Sequence, residues 1–380
     1  MKGAKSKCKG LFTMSKDYEL RWPGHPNIYC NGGPRDFTFY FSEPDGGVNS
    51  ETGILLLIPG FGASSRSNVY KKMRSVFADQ YNLVTVQCDY FGQEFMQGSQ
   101  TVNLNYSKEK LASIFTRMEF ERICSNGFDI NAFLEIGSNY NLNISVKEVL
   151  NETMENFNDM GIMQAIDNLI ALHYVIKIIE DNQFVFNREK IILFGQSHGA
   201  YLSYLCNALA PHLFSLLIDN SAWIFPAYLK SSRYLTTKIG KMTLQTEFEY
   251  LAAKLDLDET FLNLRLLYRL FENNCKIVCY HGTNDNLITN IEKQSFCDEV
   301  AHCLYNEIGP KEIDGNIFKS TSHGLDADFL AFFSHVFEGI SFEYSEKSMA
   351  KSVQIKTDKY VYDVSYETGM PIVTLTKSIV

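Results

Sequence analysis

Residues 190–205, KIILFGQSHGAYLSYL, place Ser197 between two glycines where an apolar run meets a helical pattern. A serine hydroxyl becomes a good nucleophile only when a base takes its proton, and it has to project from the edge of a sheet to reach a substrate. A sharp strand-to-helix turn achieves this but brings neighbouring backbone close, which explains Gly195 and Gly199. The pattern predicts nucleophilic catalysis by Ser197. The alternative is an incidental glycine–serine turn.

A serine on such a turn takes its acid and its base from later in the chain, in the order Ser, then Asp or Glu, then His. Asp285 follows an apolar run in KIVCYHGTNDNLITN, and His323 precedes a helical pattern in IFKSTSHGLDADFL. Both lie on loops at the carboxyl ends of predicted strands, where an α/β sheet binds its ligands. We therefore predict His323 as the base and Asp285 as the acid. Asp219, which follows another strand, remains the alternative acid; Asp285 could also simply cap a turn, and His323 could be an ordinary loop histidine.

Attack on a carbonyl carbon places negative charge on its oxygen, and two backbone N–H groups are needed to bind that oxyanion. We predict that His198, directly after the nucleophile, supplies one donor. Phe61, in the glycine-rich segment LLLIPGFGASSRS, is predicted to supply the other. The alternative for this segment is a structural turn leading to a helix capped by Ser64 or Ser65. We expect the His198 side chain to point away from Ser197 and to line the pocket.

The surrounding chain alternates between strand and helix patterns. Short apolar runs predict buried strands at 54–58, 83–87, 191–194, 214–218, 277–280 and, less cleanly, 312–318. Helical periodicity lies between them, at 69–77, 162–176 and 325–336. This alternation predicts an α/β fold with a mostly parallel central sheet and helices on both faces.

Three regions depart from the alternation. Residues 1–50 are predicted to form N-terminal edge strands, and residues 341–380 a C-terminal β extension. The α/β domain itself is predicted over 51–340, with insertions at 98–152 and 223–273. The pattern of 223–273 predicts helix and is rich in aromatic residues. Long insertions of this kind tend to be lids or binding loops.

Composition narrows the class of protein. The 380 residues are 45% apolar and 21% charged, and the net charge of −9 does not favour nucleic-acid binding. None of the nine cysteines forms a C-x-x-C pair, which argues against a disulfide framework and a zinc site and favours a reducing compartment. The N-terminus lacks the apolar core of a secretion signal, and no membrane-spanning run is evident. We expect a cytoplasmic protein without a metal or organic cofactor, and its oligomeric state stays open.

These motifs resemble those of the α/β-hydrolase superfamily over residues 53–339: PGFGAS after the first central strand, GQSHG at the turn, HGTND at the acid and SHG at the base. Within that superfamily the chain resembles a poorly characterised bacterial family that shares IPGFGA (58–63) and NDMGIMQAID (158–167). The resemblance implies a cytoplasmic serine hydrolase or acyltransferase, and some members act on acylated sugars or surface glycans. The loop at 58–63 is not the H-G-G-G form of many esterases, so ester specificity does not carry over.

Taken together, the residues predict a serine hydrolase that cleaves an ester or acyl bond through an acyl-enzyme on Ser197. A carboxylesterase or deacylase acting on a small-molecule or glycan acyl substrate is the first interpretation. An acyltransferase would use the same triad with another acceptor, because access of water to the acyl-enzyme decides between the two. A non-catalytic binding module on the same fold is the third possibility. The aromatic residues of 223–273 could line an apolar or sugar-stacking pocket, or only cover the sheet.

Overall fold

The computed structural model describes residues 14–30, 32–97, 102–104, 107–342 and 351–378. The N-terminal segment 1–13 and parts of the predicted regions 98–152 and 341–380 lie outside the described residues. The chain divides into two compact units. The first contains the described residues up to Phe91, Met160–Pro226 and those from Asp258 onward; the second contains Gly92–Asp159 and Ala227–Leu257. All the predicted site residues belong to the first unit.

The first unit is built on one eight-stranded sheet. Its strands are β1 (Lys16–Pro23), β2 (Asp36–Glu43), β3 (Gly53–Ile58), β4 (Leu83–Cys88), β7 (Ile191–Gln196), β8 (Leu216–Asn220), β11 (Lys276–Gly282) and β12 (Cys303–Ile308). They lie in the order β1-β2-β4-β3-β7-β8-β11-β12. Neighbours from β4 to β12 pair in parallel, whereas β2 is reversed and pairs antiparallel with both β1 and β4. This is the topology of the α/β-hydrolase fold, so the predicted fold class is confirmed.

Helices cover both faces of the sheet because its central strands are apolar on both sides. On one face, α1 (Asn68–Tyr81) and α10 (Phe329–Phe337) share a core with alternate residues of β3 and β7, and the rings of Phe77 and Phe333 stack 4.3 Å apart. On the other, α5 (Ile162–Asp181) and α6 (His198–Leu209) pack on each other and on β3. Helix α5 has the length and apolar composition of a membrane span, but 83% of its most apolar window is buried, which is typical of a core helix.

The remaining helices of the first unit are short. They are α7 (Glu259–Leu262), α8 (Leu264–Leu267) and α9 (Asn290–Glu299). Helix α9 directly follows the loop after β11 and packs on β11 and β12.

Two secondary-structure predictions were wrong. Residues 312–318 form a loop, in which the carboxylate of Asp314 accepts hydrogen bonds from three successive backbone N–H groups, at 2.8–3.0 Å. Its apolar side chains pack on the core from that loop, which explains the misleading pattern. The strand lies earlier, in β12, which the apolar runs missed because an edge strand is only half buried. The predicted helical region 223–273 instead contains an antiparallel pair of strands, residues 233–239 and 242–248.

The second unit has its own sheet and core. Its strands are β5 (Val102–Leu104), β6 (Asn143–Glu148), β9 (Arg233–Ile239) and β10 (Met242–Phe248), in the order β5-β6-β10-β9, and its helices are α2 (Lys108–Ile114), α3 (Arg117–Cys124) and α4 (Ile130–Gly137). Phe133, Ile144 and Met242 are among its buried core residues. The two insertions therefore fold together as one mixed α/β unit.

The C-terminal extension forms a separate antiparallel sheet that belongs to the first unit. The prediction that this extension consists of β-strands is confirmed. The strands are β13 (Val353–Lys356), β14 (Tyr360–Ser365) and β15 (Ile372–Lys377). Asp258, which is 4% exposed, accepts hydrogen bonds from Thr357 at 2.6 Å and Tyr362 at 3.0 Å. Tyr366 donates to the carbonyl of Leu209 at 3.0 Å. Buried polar contacts thus fix the extension to the α/β core.

The apolar interior also contains histidines that must stay neutral. His173 lies on the buried face of α5, and burial, together with the charge of His212, lowers its pKa to about 4. Burial lowers the pKa of His198, at the start of α6, to about 3. Unfolding exposes both imidazoles to water, where their pKa returns to about 6.5. Below that pH the unfolded chain takes up protons that the folded chain does not, so acid destabilises the fold.

We predict that the free energy of unfolding falls as the pH is lowered from 7 towards 4, with each of these histidines contributing up to about 1.4 kcal/mol per pH unit. His173→Phe keeps a ring beside Tyr366 (centroids 5.1 Å apart) and removes one titrating group, so it should flatten the slope. Urea unfolding at several pH values measures this. Phe214→Leu, which alters a buried ring that carries no titrating proton, is the control and should lower the free energy of unfolding without changing the slope. Parallel slopes for wild type and His173→Phe would contradict the explanation.

Candidate active site

Ser197 lies at the sharp turn between β7 and α6, in a backbone conformation that side chains rarely adopt. Its φ is 55° and its ψ is −121°. Such a conformation costs about 1–3 kcal/mol and persists only where the surrounding structure fixes it. Here β7 enters the turn from the centre of the sheet, α6 leaves it, and the Ser197 N–H donates to the carbonyl of Asn220 at 2.8 Å. The turn is therefore held from both sides.

Gly195 and Gly199 allow the chain to pass itself at this turn. A Cβ on Gly195 would lie 2.3 Å from the carbonyl carbon of Gly199, and a Cβ on Gly199 would lie 2.1 Å from the carbonyl oxygen of Ile58 at the end of β3. Both distances are far below any van der Waals contact. The absence of side chains at these two positions therefore lets the turn, α6 and the end of β3 approach at backbone contact.

The structure brings Ser197, His323 and Asp285 together in one hydrogen-bonded row. His323 Nε2 is 2.7 Å from Ser197 Oγ, and His323 Nδ1 is 2.7 Å from Asp285 Oδ2. The other oxygen of Asp285 accepts the N–H groups of Leu287 and Ile288, at 2.8 and 3.2 Å. Burial by itself would raise the pKa of Asp285, but the hydrogen bond and charge of His323 outweigh it and hold that pKa below its usual value.

Asp219, the alternative acid, lies at the end of β8 and is engaged elsewhere. Its Oδ2 is 2.7 Å from Nζ of Lys293 and accepts the Tyr204 hydroxyl at 2.9 Å, while its Oδ1 accepts the Ala222 N–H at 2.7 Å. Both members of the ion pair are fully buried. The carboxylate beside His323 is that of Asp285.

The loops that carry Asp285 and His323 are bound to each other. Asn284 donates from its backbone to the carbonyl of Thr321 at 2.9 Å and from its side chain to the Thr321 hydroxyl at 2.7 Å. A Cβ on Gly282 would lie 2.1 Å from that same carbonyl oxygen. The two loops thus approach as closely as backbone allows, which fixes the separation of Asp285 and His323.

The loop after β3, which carries Phe61, lies against the turn at Ser197. A Cβ on Gly60 would be 3.0 Å from the carbonyl oxygen of Gln196 and 3.8 Å from Cβ of Ser197. The Phe61 ring packs 5.4 Å from the imidazole of His198 and 5.6 Å from Trp223. Helix α1, which follows this loop, is capped by Ser67 and not by either of the serines considered above.

His198 contributes its backbone N–H to the first turn of α6, where amides have no partner inside the helix. Its side chain is fully buried, with Nε2 2.7 Å from the amide oxygen of Gln164. The amide nitrogen of Gln164 donates in turn to the carbonyl of Phe91 at 3.1 Å. The amide oxygen of Gln164 can only accept a hydrogen bond, so Nε2 of this neutral imidazole carries the proton and donates it. Gln164 was not singled out from the sequence; a polar residue inside an apolar helix pattern was the available signal.

His281, at the end of β11, lies beside Asp285. Its Nε2 is 2.9 Å from the carbonyl of Ile288 and 3.6 Å from Oδ2 of Asp285. Burial first, and then the charge of Lys293, lower its pKa. A neutral imidazole here helps to enclose the carboxylate without adding a charge to it. In the part of the chain that the structure describes, no three histidine, cysteine or carboxylate side chains are grouped so that they could bind a metal ion.

Several solved structures are similar to this chain at low sequence identity. A puromycin-hydrolysing peptidase from Mycobacterium tuberculosis is 13% identical, with a TM-score of 0.47 over 89% of this chain and 41% of its own. Est1E from Butyrivibrio proteoclasticus, solved with ferulic acid, is 12% identical, with a TM-score of 0.42 and coverage of 80% and 93%. An acylaminoacyl peptidase from Pyrococcus horikoshii is 12% identical, with a TM-score of 0.48 and coverage of 89% and 43%. This chain thus spans less than half the length of either peptidase.

At the level of sequence, a family model described as "Protein of unknown function (DUF2920)" matches residues 45–258, more than half of the chain. The matched region includes the loop with Phe61 and the turn at Ser197, and ends before Asp285 and His323. No curated protein sequence matches the chain.

We predict that Gly199→Ala destabilises the protein by about 1–3 kcal/mol, the usual range for an overpacked interior. The added methyl group forces α6 away from the carbonyl of Ile58, so β3 and the turn at Ser197 cannot both keep their positions. Urea unfolding measures the loss. Gly46→Ala is the matched control, since no atom lies within 4 Å of its new Cβ, and its stability should stay within about 1 kcal/mol of wild type. Equal stability of the two variants would contradict the close approach described here.

Proposed function

The chain belongs to DUF2920, a family of proteins of unknown function, and we propose that it is a serine hydrolase that cleaves an ester or acyl bond. The observation that carries this proposal is the row of two 2.7 Å contacts from Ser197 through His323 to Asp285. A hydroxyl, an imidazole and a carboxylate in this order form the arrangement that activates serine in unrelated hydrolases.

In the proposed reaction, His323 Nε2 accepts the proton of Ser197 as Oγ attacks the carbonyl carbon. The N–H at Nδ1 donates a hydrogen bond to the carboxylate of Asp285 and keeps its proton. Asp285 thereby leaves Nε2 free to accept and stabilises the imidazolium that forms. The lowered pKa of Asp285 supports this role, because the carboxylate stays ionised at neutral pH. His323 then protonates the leaving group, and water releases the acyl group from Ser197.

The backbone N–H groups of His198 and Phe61 are the proposed donors to the oxyanion. Each such donor typically accounts for about 10²–10³ in rate. The start of α6 favours negative charge at this position, since the helix dipole points its positive end there. The buried bond between His198 and Gln164 supports the assignment, because it fixes the residue whose amide must be in place before the charge develops.

For the substrate we propose a small-molecule or glycan ester. The support is the half-buried ring of Phe61, which lies beside His198 and Trp223 and offers an apolar surface next to the turn at Ser197. Apolar acyl groups and the faces of sugars both bind to aromatic side chains of this kind. A carboxylesterase or deacylase fits this surface.

We predict that the protein turns over 4-nitrophenyl acetate or butyrate and that Ser197→Ala lowers kcat by about 10⁶-fold. Asp285→Asn should lower kcat by about 10⁴-fold, because the imidazole then takes the wrong tautomer. Asp314→Asn, in the loop at 312–318, is the control: its carboxylate binds only backbone of its own loop and should leave kcat unchanged. Release of 4-nitrophenol measures the rates. Full turnover by Ser197→Ala would exclude the mechanism, whereas an inactive wild type would favour the non-catalytic binding module.

The same assay separates hydrolysis from acyl transfer. With added methanol or glucose, a hydrolase releases carboxylic acid and 4-nitrophenol in equal amounts. A transferase releases more phenol than acid, and the difference appears as the new ester. We expect equal amounts.

A further inference from the structure

We propose that the buried ion pair of Lys293 and Asp219 positions His323 for Ser197, so that Asp219 supports the triad without belonging to it. The inference rests on the proposed function of the same site. It concerns the segment 219–222, which comprises the last two residues of β8 and the two that follow, and which is hydrogen-bonded both to Ser197 and to the loop that carries His323. Neither member of the pair contacts the reacting atoms, so both are positioning residues.

The segment 219–222 holds both sides of the active site at once. The carbonyl of Asn220 accepts the N–H of Ser197 at 2.8 Å. The side-chain amide of Asn220 donates to the carbonyl of Gly324, next to His323, at 3.2 Å, and the Ser221 hydroxyl accepts the N–H of Gly324 at 3.1 Å. A shift of Asn220 and Ser221 would therefore change the distance between the base and the nucleophile.

This segment does not hold its shape by local preference. Ser221 has a φ of 59°, in the left-handed region that a residue with a side chain adopts at a cost in free energy. Its hydroxyl donates to the amide oxygen of Asn220 at 3.1 Å, and its N–H donates to the carbonyl of Tyr280 at 3.0 Å. The strained turn therefore has to be stabilised by further contacts.

Lys293 and Asp219 supply those contacts. Nζ of Lys293 lies 2.7 Å from Oδ2 of Asp219 and donates to the carbonyl of Ala222 at 3.1 Å, so it binds both ends of the segment. Oδ1 of Asp219 accepts the N–H of Ala222 at 2.7 Å, which closes the turn from inside. Both charged side chains are 0% exposed, and an unscreened pair of charges resists displacement more strongly than one in water.

The position of Lys293 in the chain explains why it suits this role. It lies on α9, which begins directly after the loop that carries Asp285. The ammonium group of Lys293 therefore connects two regions. One is α9 with the loop before it, which carries Asp285; the other is the segment 219–222, which is hydrogen-bonded to Gly324. The ion pair therefore links the supports of all three triad residues.

The test replaces the pair without leaving a buried charge. Lys293→Met alone strands the Asp219 carboxylate, and that variant can fail to fold. The double variant Lys293→Met with Asp219→Asn is neutral, and its Asn oxygen can still accept from Ala222. With a 4-nitrophenyl ester, we expect kcat to fall by about 10- to 100-fold, since small misplacements at a reacting centre cost that much, while KM stays within about threefold.

A second readout does not depend on turnover. The proton that His323 Nδ1 shares with Asp285 should give a far-downfield signal in the proton NMR spectrum of the wild type, and the double variant should shift or broaden it. Asp258→Asn is the matched control. It also removes a buried, hydrogen-bonded carboxylate, but one bound to Thr357 and Tyr362, so it should lower stability and leave kcat and the signal unchanged.

The outcomes separate this inference from the proposed function. A folded double variant with wild-type kcat and an unmoved proton signal overturns the positioning role and leaves the serine hydrolase standing. If the wild type turns over no ester but the signal still moves in the double variant, the positioning role stands and the proposed function fails. If Asp258→Asn lowered kcat as much as the double variant does, the loss would follow from lowered stability alone, and the positioning role would be overturned.

Discussion

In the proposed mechanism, Nε2 of His323 can accept the proton of Ser197 because the ring proton is on Nδ1, where it is hydrogen-bonded to Asp285. Two contacts of 2.7 Å satisfy this condition, yet the residues they join are 126 and 38 positions apart in the chain. The parallel sheet makes the meeting possible, because the carboxyl ends of β7 and β11 lie at the same edge, separated only by β8. The loop after β12 then brings His323 back to that edge.

Several features of the molecule are unfavourable by themselves and are explained by this convergence. Ser197 and Ser221 adopt left-handed backbone conformations, and the chain passes itself at Gly199 with no room for a methyl group. Asp219, Lys293 and Asp285 are charged groups in the interior, each stabilised by specific partners. The packed apolar layers on both faces of the sheet offset these costs, and the strain collects at the edge where the proposed chemistry takes place.

Much of this arrangement could be predicted from the sequence, because steric requirements fix certain residue types at certain spacings and the fold fixes their order in the chain. The glycines two residues before and after Ser197 are required by backbone contact, so they could be read from spacing. Asp219 and Asp285 have similar sequence surroundings, since each comes shortly after an apolar run. What distinguishes them is a long-range partner: Lys293 reaches the first and His323 the second, and no local pattern records that choice.

The elements that were missed share the same cause. Strand β12 is an edge strand with one polar face, and residues 312–318 imitate a strand because their apolar side chains reach the core from a loop. Gln164 lies in an apolar helix, where its partner His198 is visible only in three dimensions. Patterns along the chain report burial, whereas polar contacts depend on which elements become neighbours.

The central claim is that Ser197 is activated by His323, and covalent labelling tests it most directly. A fluorophosphonate reacts with an activated serine, and mass spectrometry of the digested protein identifies the modified residue. The account predicts a single adduct on Ser197 that forms far more slowly in His323→Gln. No adduct on the folded wild type, an adduct on another residue, or equal labelling of the two proteins would contradict it.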